Sequence, residues 1–444
     1  MMNLMCRRSH PRTTTYRFRG RDILETKKLL GHEAARLGSN ANHKSADIKW
    51  ASRRAKMYAL QAQAAQLLPN ERVGKCLRCT ISGHAVEVYH SPEHNKAFFG
   101  RLVQCSSVWA CPICASKITE RRREEIQEGI NIWEAKGGRV ALMTLTFSHN
   151  KYEPCEQVRE ALVDARSRLW GDRIGKKWKE KYKVMGSNSH QDATYGQNGW
   201  HLHMHILLFL EGDVNLSGMA VEGQQIWRHV VKSSTGRRVH GSYGFDLQFA
   251  DEHIANYLAK HGDVEVDWGM AEELTKSHMK MPKNGNKTVW QLLRDSMLGD
   301  EEAGRLWKEY QESFKGKPHT KWGKGFKKEL FGDRSEEKTD EDLATEKREV
   351  ANLLMMLSKP AWKRVLGNDI RADLLDLADQ ADEQAIRSFL ADFGISENQI
   401  VFLSELKKSG HHCECGEELD SFAIEGEELY YCEECCTTYE KPPP

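Results

Sequence analysis

The sequence predicts an α+β fold for the central part of the chain, in which helices pack against a sheet. Three segments have the alternation and the β-branched or aromatic content of strands: residues 139–147, 200–210 and 243–249. Segments with helical periodicity follow them, at residues 156–183, 219–232 and 251–261. Alternating strand and helix signals of this kind favour one sheet covered by helices.

Composition and periodicity divide the 444-residue chain into six segments. We expect a basic arm and helix at 1–75, a cysteine-rich zinc-binding segment and helix at 76–136, the mixed α/β domain at 137–265, a helical basic extension at 266–332, an acidic helical region at 333–408 and a zinc ribbon at 409–444. Within these segments, helices are expected at 46–68, 115–136 and 270–315, and a basic loop at 316–328.

Charge is distributed unevenly along the chain, although the net charge is only +1. Residues 1–75 contain 16 Lys and Arg against 5 Asp and Glu, whereas residues 333–444 contain 12 against 27. A basic front half suits a polyanion such as nucleic acid. The acidic C-terminal region does not, and we expect it to bind a protein, for example a host replication factor.

Two classes of protein are disfavoured by what the sequence lacks. No apolar run approaches the length of a membrane span, and the basic N-terminus has no apolar secretory stretch. A cytoplasmic protein without a membrane partner is therefore expected. No G-x-x-x-x-G-K-[ST] pattern occurs, so we expect no nucleotide-driven motor in this sequence.

Three histidines alternate in the second strand segment, WHLHMHILLFL. Strand side chains repeat with a period of two, so His201, His203 and His205 share one face, and the residues between them can enter a core. Neighbouring positions on that face lie about 6.6 Å apart, and two imidazoles at this spacing can converge on one metal ion. The outer pair lies about 13 Å apart, so we expect one adjacent pair plus a ligand from elsewhere. The alternative is that the histidines line a solvated or DNA-facing surface.

The helical segment DEHIANYLAKH places a tyrosine and a lysine three residues apart. Tyr257 and Lys260 share one face of such a helix. A tyrosine oxygen can attack a phosphodiester and form a covalent phosphotyrosine, and a nearby lysine can stabilise the phenolate. Taken alone, a core tyrosine with a lysine at its rim is the better interpretation, and only the combination with the histidine strand favours catalysis.

In combination, these motifs resemble the HUH endonucleases, and most closely the rolling-circle replication initiators of small bacterial plasmids. The resemblance covers roughly residues 75–262, with LMTLTF at 142–147, GWHLHMHILLF at 199–209 and NYLAK at 256–260 in family order. The cysteine segment containing CSSVWACPICASKITERRR also looks like that family. The resemblance implies that 137–265 is a ferredoxin-like catalytic palm, an antiparallel sheet with helices, with the Tyr helix beside a central His strand.

Carried over position by position, the resemblance implies that His203 and His205 bind Mg or Mn and that Tyr257 is the nucleophile, supported by Lys260. Imidazole ligation makes Mn the easier of the two metals to rationalise. The implied activity is nicking and strand transfer at a single-stranded replication origin, through a 5′-phosphotyrosine intermediate that starts rolling-circle replication. A host helicase would then unwind the nicked duplex.

The termination step and the third histidine are left open by the resemblance. Some family members carry a water-activating Glu four residues before the tyrosine, where this chain has His253. His253, the adjacent Glu252 or another carboxylate could serve as the base. The role of His201 and the third metal ligand are also open.

Two C-x-x-C pairs with 31 residues between them begin the cysteine-rich segment. In a chain without a secretory signal, such pairs fit a structural four-cysteine zinc site better than disulfides or redox chemistry. The expected ligands are Cys76, Cys79, Cys111 and Cys114. Cys105 is a fifth candidate that could replace one of them. The site would fold the N-terminal portion and present the arginines at 121–123 to phosphate.

The C-terminal segment HHCECGEEL…YYCEECC resembles a small zinc ribbon. The expected ligands are Cys413, Cys415, Cys432 and Cys435. The spare candidates are Cys436, His411 and His412. The strong negative charge around these residues argues against duplex DNA and favours a protein as the partner of this segment.

Two rival interpretations carry the same sequence features. A transposase or mobilisation relaxase of the same superfamily would differ in the DNA ends that it cuts. A zinc-dependent nucleic-acid-binding regulator without catalysis would use Tyr257 only for packing. A covalent protein–DNA adduct distinguishes the regulator from the enzymes.

Overall fold

The computed structural model describes residues 52–81, 85–241, 243–250, 254, 286–345, 351–432, 437–439 and 441–442. The chain divides into two compact units. We name them by their place in the sequence: the central unit is 60–73 with 105–346, and the terminal unit is 1–59, 74–104 and 347–444.

Twelve α-helices lie in the described part of the chain. They are α1 Arg53–Leu67, α2 Pro112–Ala135, α3 Cys155–Gly171, α4 Arg173–Lys181, α5 Leu216–Thr235, α6 Val289–Met297, α7 Glu301–Phe314, α8 Phe326–Phe331, α9 Asp340–Thr345, α10 Lys359–Gly367, α11 Arg371–Ala378 and α12 Glu383–Asp392. Short 3-10 turns occupy Arg72–Lys75, Gly332–Arg334, Glu397–Gln399 and Leu403–Glu405. No described helix combines the length and the apolarity that crossing a bilayer requires.

The strands form three antiparallel sheets. They are β1 Ala85–Ser91, β2 Lys96–Gly100, β3 Arg139–Leu145, β4 Val184–Gly196, β5 Gly199–Leu210, β6 Phe245–Phe249, β7 Lys287–Thr288, β8 Thr320–Trp322, β9 Asn352–Ser358, β10 Ile400–Phe402, β11 Lys407–His412, β12 Glu418–Ile424, β13 Glu427–Cys432 and β14 Thr437–Tyr439. Helices together with antiparallel sheets confirm the α+β class.

The central unit is built on a sheet of order β6-β3-β5-β4-β7, with β8 also paired to β4. The three predicted strands are present as β3, β5 and β6, and β5 lies between β3 and β4. Strand β4 was not predicted from the sequence, because its residues GSNSHQDATYG are mostly polar. This strand owes its conformation to the ladder with β5, which runs from Val184↔Leu210 to Gly196↔Gly199. A polar strand of this kind has no local apolar alternation to reveal it.

The two faces of the central sheet pack against different helices. On one face, Phe245, Leu145 and Met204 are register partners across three strands. A Cβ at Gly223 of α5 would lie 2.4 Å from the Phe245 ring, so α5 approaches this face closely. Trp178 of α4 lies beside the same glycine. This face, the α5 face, is therefore covered by α4 and α5.

The opposite face carries Leu207 and Phe209 of β5, which pack in one apolar cluster with α2 and α8. Trp133 of α2 and Phe326 of α8 belong to this cluster. The basic segment 316–328, expected to be a loop, contains β8 and the start of α8 instead. Its aromatic residues explain the difference, because Trp322 and Phe326 are buried in the cluster and fix the backbone around them.

The terminal unit contains a sheet of order β10-β9-β1-β2 and a separate ribbon of order β11-β12-β13-β14. Residues 333–408 were expected to form an acidic helical region, yet β9 and β10 belong to this sheet. The apolar run LLMM in β9 is buried or half-buried, and a run of this length does not distinguish a buried strand from a buried helix. Helices α10, α11 and α12 follow, as the acidic helical pattern predicts.

Candidate functional sites

The three histidines of β5 bring their rings together on one side of the central sheet, as strand alternation predicts. The ring centroids of His201 and His203 lie 4.3 Å apart and the rings are perpendicular. Those of His203 and His205 lie 5.9 Å apart and are parallel within 2°. The surface that these rings occupy, here the His face, continues along β5 into Leu207 and Phe209, since these share the alternation.

Two hydrogen bonds orient the outer rings of the His face. Thr144 of β3 is the register partner of His205, and its Oγ1 lies 3.1 Å from Nδ1 of that ring. His149, which follows β3, places its Nε2 3.0 Å from Nδ1 of His201. A metal bond from Nε2 of His205 requires a proton on Nδ1, and Nδ1–H then donates to Thr144.

The central ring, His203, has an atom that the described part of the chain does not satisfy. Its Nδ1 is buried and has no hydrogen-bond partner among the described residues. Buried polar atoms are nearly always paired, with protein, water or an ion. An unpaired imidazole nitrogen beside a second imidazole suits a transition-metal ligand.

Burial favours the neutral form of His201 and His203. Burial, together with the charges of neighbouring imidazoles, lowers the pKa of His203 to about 4 and that of His201 to about 3. The charge of Asp192 acts in the opposite direction on both rings. Neutral imidazole is the form that binds a metal, so near pH 7 these rings need lose no proton to do so.

Strand β4 supplies two polar residues that sequence reasoning missed. Asp192 is the register partner of His203, and His190 is the register partner of His205. Register partners point to the same side of a sheet, so both belong to the His face. His190 is 3% exposed, and burial lowers its pKa to about 3. The spacing of two in S-H-Q-D-A-T is the signal for them, but it has meaning only once β4 is recognised as a strand.

The His face by itself does not assemble a three-ligand metal site in the described part of the chain. Among the described residues, three or more ligand atoms lie within 4.8 Å of one another only in groups of cysteines. Tyr257, Lys260, His253 and Glu252 lie outside the described residues. Ile254 is described, and it is buried in the cluster with Leu207 and Phe209.

The first cysteine group of the central unit lies at the start of α2. Ligand atoms of Cys105, Cys111 and Cys114 are within 4.8 Å of one another, and all three residues are buried. The Sγ atoms of Cys105 and Cys114 are 3.6 Å apart, and Gln61 Nε2 donates to Cys111 Sγ at 3.6 Å. Cys111 is the N-cap of α2, where the helix dipole stabilises a thiolate. The group can hold a metal ion such as zinc.

Two of the four predicted ligands of the first zinc site, Cys111 and Cys114, belong to this group. Cys105, offered by the sequence only as a fifth candidate, belongs to the group with Cys111 and Cys114. Cys76 and Cys79 lie on residues 74–104 of the terminal unit, where Cys76 is buried and Cys79 is half-buried. Their ligation stays a prediction from the sequence.

The second cysteine group lies in the ribbon of the terminal unit. Ligand atoms of Cys413, Cys415 and Cys432 are within 4.8 Å of one another, and the Sγ atoms of Cys415 and Cys432 are 3.6 Å apart. Gly416 has φ +93°, which glycine adopts without strain, and its N–H closes the turn onto Cys413 O. Cys435 and Cys436 lie outside the described residues. This group too can hold a metal ion such as zinc.

Hydrogen bonding prepares Cys413 for metal binding. The backbone N–H of Cys415 and the hydroxyl of Tyr439, whose Oη is 3.1 Å from Cys413 Sγ, lower the pKa of Cys413 to about 6. A thiolate is the form that binds zinc. The predicted spare ligands His411 and His412 lie on β11 and are exposed.

Two of the three arginines at 121–123 form ion pairs within the central unit. Arg123 pairs with Glu120 at 2.7 Å, one turn away on α2. Arg122 donates to Lys338 O at 2.7 Å and lies 3.5 Å from Glu125. These ion pairs offset part of the positive charge of Arg122 and Arg123 within the central unit, and phosphate binding by residues 121–123 stays a prediction.

Comparisons with known proteins identify two similar sequences. The chain is 24% identical over 306 residues to Protein rep of Streptomyces lividans, an alignment that covers 54% of this chain and 66% of that protein. It is 27% identical over 136 residues to the Neomycin resistance protein of Streptomyces cyanogenus, covering 25% of this chain and 31% of that protein. The chain thus spans just under two thirds of the first relative and about a third of the second. No protein-family model and no solved structure matches it.

Proposed function

We propose that the chain is a plasmid replication protein that nicks single-stranded DNA at an origin and starts rolling-circle replication. The similarity to Protein rep supports the replication role. The observation that carries the chemistry is the His face, where His203 and His205 lie side by side with an unpaired buried nitrogen on His203.

The residues of the His face suit a divalent metal ion. We infer that His203 and His205 hold Mn or Mg, and that Asp192, the register partner of His203, adds a carboxylate to the same face. A carboxylate with two imidazoles is a donor set that favours Mn over Mg. When bound, the ion withdraws charge from the scissile phosphate.

Tyr257 is the proposed nucleophile. Its phenolate oxygen attacks the scissile phosphorus and forms a new P–O bond, while the P–O3′ bond breaks and the leaving 3′ oxygen takes up a proton. Lys260 would balance the phenolate charge. Ile254 supports this assignment, because it is packed with Leu207 and Phe209 and lies only three residues before Tyr257. The ester energy is retained in the phosphotyrosine, so strand transfer needs no nucleotide.

Two protein partners and a structural metal complete the proposed function. A host helicase would unwind the nicked duplex, because this sequence carries no nucleotide-binding motif of its own. The acidic C-terminal region, with its cysteine group, would bind a protein. We propose zinc for both cysteine groups, because sulfur-rich sites of this spacing favour it. Cys76 and Cys79 stay predicted zinc ligands.

An adduct assay tests the nucleophile. Wild-type protein is incubated with labelled single-stranded origin DNA and Mn, and SDS-stable protein–DNA adducts are resolved on a gel. We expect an adduct with wild type and none with Tyr257→Phe. Tyr152→Phe and Tyr243→Phe remove the hydroxyls of tyrosines that are 89% and 74% exposed, and both should leave the adduct intact. An adduct formed by Tyr257→Phe, or none formed by wild type, would refute the proposal.

A further inference from the structure

The strongest concentration of positive charge in the central unit lies at the end of α3 and on α4. Residues 166–183 contain eight Lys and Arg against two Asp and Glu. The inner side of α4 is Gly175 and Trp178, which are buried. The cations on its outer side are exposed, and they are Arg173, Lys176, Lys177 and Lys181. We call residues 166–183 the α3–α4 basic surface.

Two cations of this surface converge on one indole ring. The guanidinium of Arg166 lies 4.7 Å from the centroid of Trp170, and the Nζ of Lys179 lies 5.2 Å from it. Lys179 also donates to Trp170 O at 3.1 Å. Cation–π contacts hold like charges close together at the base of the surface.

Carboxylates of the described residues leave most of these cations unbalanced. Within 166–183, the ion pairs found are Arg168 with Asp164 and Lys181 with Glu222. Burial lowers the pKa of Arg166 and of Lys179, and the nearby positive charges of Arg166 and Lys176 lower that of Lys179 further. The Nε of Arg166 is buried and has no hydrogen-bond partner among the described residues. The group thus has the charge and the donors of an anion site.

The surface lies on the other side of the sheet from the His face. Trp178 of α4 packs beside Gly223 and Phe245, which belong to the α5 face. DNA held on the α3–α4 basic surface therefore need not enter the His face. We propose that this surface binds the phosphate backbone of duplex DNA, as a second nucleic-acid site separate from the nicking site. The inference rests on the proposed function, because it adds a duplex contact to an origin-nicking protein.

The composition of the surface favours duplex over single-stranded DNA. Single-strand sites stack bases on available aromatic rings, whereas duplex binding without base readout uses cations on phosphates. The ring of Trp170 is in contact with Arg166 and Lys179, and Trp178 and Tyr182 are buried. The outer side of α4 offers charged groups and Ile174 instead.

Salt-dependent binding of a linear duplex of about 30 base pairs tests this proposal. We compare full-length wild type with Lys176→Gln/Lys177→Gln, which removes two exposed charges from α4. Each lost phosphate contact reduces the magnitude of the slope of log K against log salt by about 0.9. The slope of the variant should therefore be shallower than that of wild type by about 1.8. Its duplex affinity near 0.1 M salt should fall by about tenfold or more.

The matched control is Lys359→Gln/Lys363→Gln, which removes two exposed charges from α10 of the terminal unit. We expect this control to bind duplex within about twofold of wild type. Equal losses in both variants, an unchanged slope in the α4 variant, or a larger loss for single-stranded DNA of the same length would overturn the proposal.

The adduct assay separates this inference from the proposed function. On a short single-stranded origin oligonucleotide, Lys176→Gln/Lys177→Gln should form the adduct at the wild-type rate, because the α4 surface does not contact the His face. A failure of wild type to form any adduct would refute the nicking function and leave the duplex measurements to stand alone. A slower adduct in the α4 variant would place its lysines at the nicking site and contradict a separate site.

Discussion

The cysteine groups and the His face are both candidate metal sites, but they are assembled differently. Cys111 and Cys114 lie at the start of one helix, and Cys413 and Cys415 lie in one tight turn, so local structure brings their sulfur atoms together. His203 and His205 are held apart by the strand repeat. A strand face needs donors from neighbouring strands or from DNA before it encloses an ion.

This difference predicts two kinds of metal dependence in one protein. Metal in the cysteine groups should be part of the folding energy, since a preassembled sulfur site forms only in the folded chain. Metal on the His face should exchange readily and affect the reaction alone.

Removing the imidazole pair should abolish the reaction without harming the fold. For His203→Ala/His205→Ala we expect at least a thousandfold lower rate of adduct formation, because the proposed ion loses two of its ligands. A brief EDTA treatment of wild type should have the same effect, and added Mn should reverse it. Bound zinc and the thermal midpoint, measured on the same samples, should stay near wild type. Loss of zinc in step with activity would break the distinction.

Removing one sulfur of the first cysteine group should lower stability. For Cys111→Ser we expect loss of one zinc equivalent and a thermal midpoint lower by about 10 °C, because zinc ligation contributes directly to folding. Cys155→Ser is the control, since Cys155 is also fully buried but burial raises its pKa to about 12, which keeps it a thiol.

Cys76→Ser and Cys79→Ser, measured in the same way, test the two remaining predicted ligands. A variant of a residue that binds zinc should lose zinc as Cys111→Ser does, whereas a variant of a residue that does not bind zinc should keep it. Zinc retained in Cys111→Ser would contradict a site in the first cysteine group.

Loosening His205 should weaken the proposed ion without removing it. Thr144→Val deletes the hydroxyl that holds Nδ1 of His205 and keeps the side-chain volume. Groups that orient a metal-bound imidazole typically contribute 10- to 100-fold to metal affinity, so we expect about tenfold more Mn for half-maximal adduct formation. Thr194→Val, on β4 opposite His201, is the control and should change the Mn requirement less. Equal effects would show that Thr144 has no specific role.

The buried histidines should make stability depend on pH. The pKa of His190 is lowered to about 3 in the folded chain. As the pH falls below about 6.5, the unfolded chain therefore binds a proton at this histidine that the folded chain does not bind. Stability is therefore full above pH 6.5 and falls as the pH drops toward 3, by about 1.4 kcal/mol per pH unit for this group. His190→Gln should make the thermal midpoint depend less on pH between pH 6 and 4 than it does in wild type. An identical pH profile would show that His190 is protonated in the fold.

The parts of the fold that sequence predicts are those whose pattern is local. β5 and β3 show their alternation, α3 and α5 their helical period, and Cys111 and Cys114 their short spacing. β4 shows none of these, because its polar residues are ordered by pairing with β5. Asp192 and His190 were missed for the same reason, since their place opposite the histidines follows from register rather than from local sequence.

The choice among the cysteines also depends on long-range structure. Cys105 lies outside both C-x-x-C pairs, and its approach to Cys114 is set by the path of the chain into α2. The spacing of the cysteines therefore predicts a zinc site but does not identify which cysteines are its ligands. The ion pairs of Arg122 and Arg123 with Glu125 and Glu120 also depend on structure, because helix α2 brings these side chains together.

The central claim is that Tyr257 attacks DNA beside the His face, and mapping the covalent bond tests it most directly. The adduct formed with single-stranded origin DNA and Mn is digested with protease and nuclease, and the modified peptide is identified by mass spectrometry. We predict a nucleotide linked through its 5′ phosphate to Tyr257, and a released DNA fragment that ends in a 3′ hydroxyl. A nucleotide on any other residue, or a released fragment with a 3′ phosphate, would contradict the account.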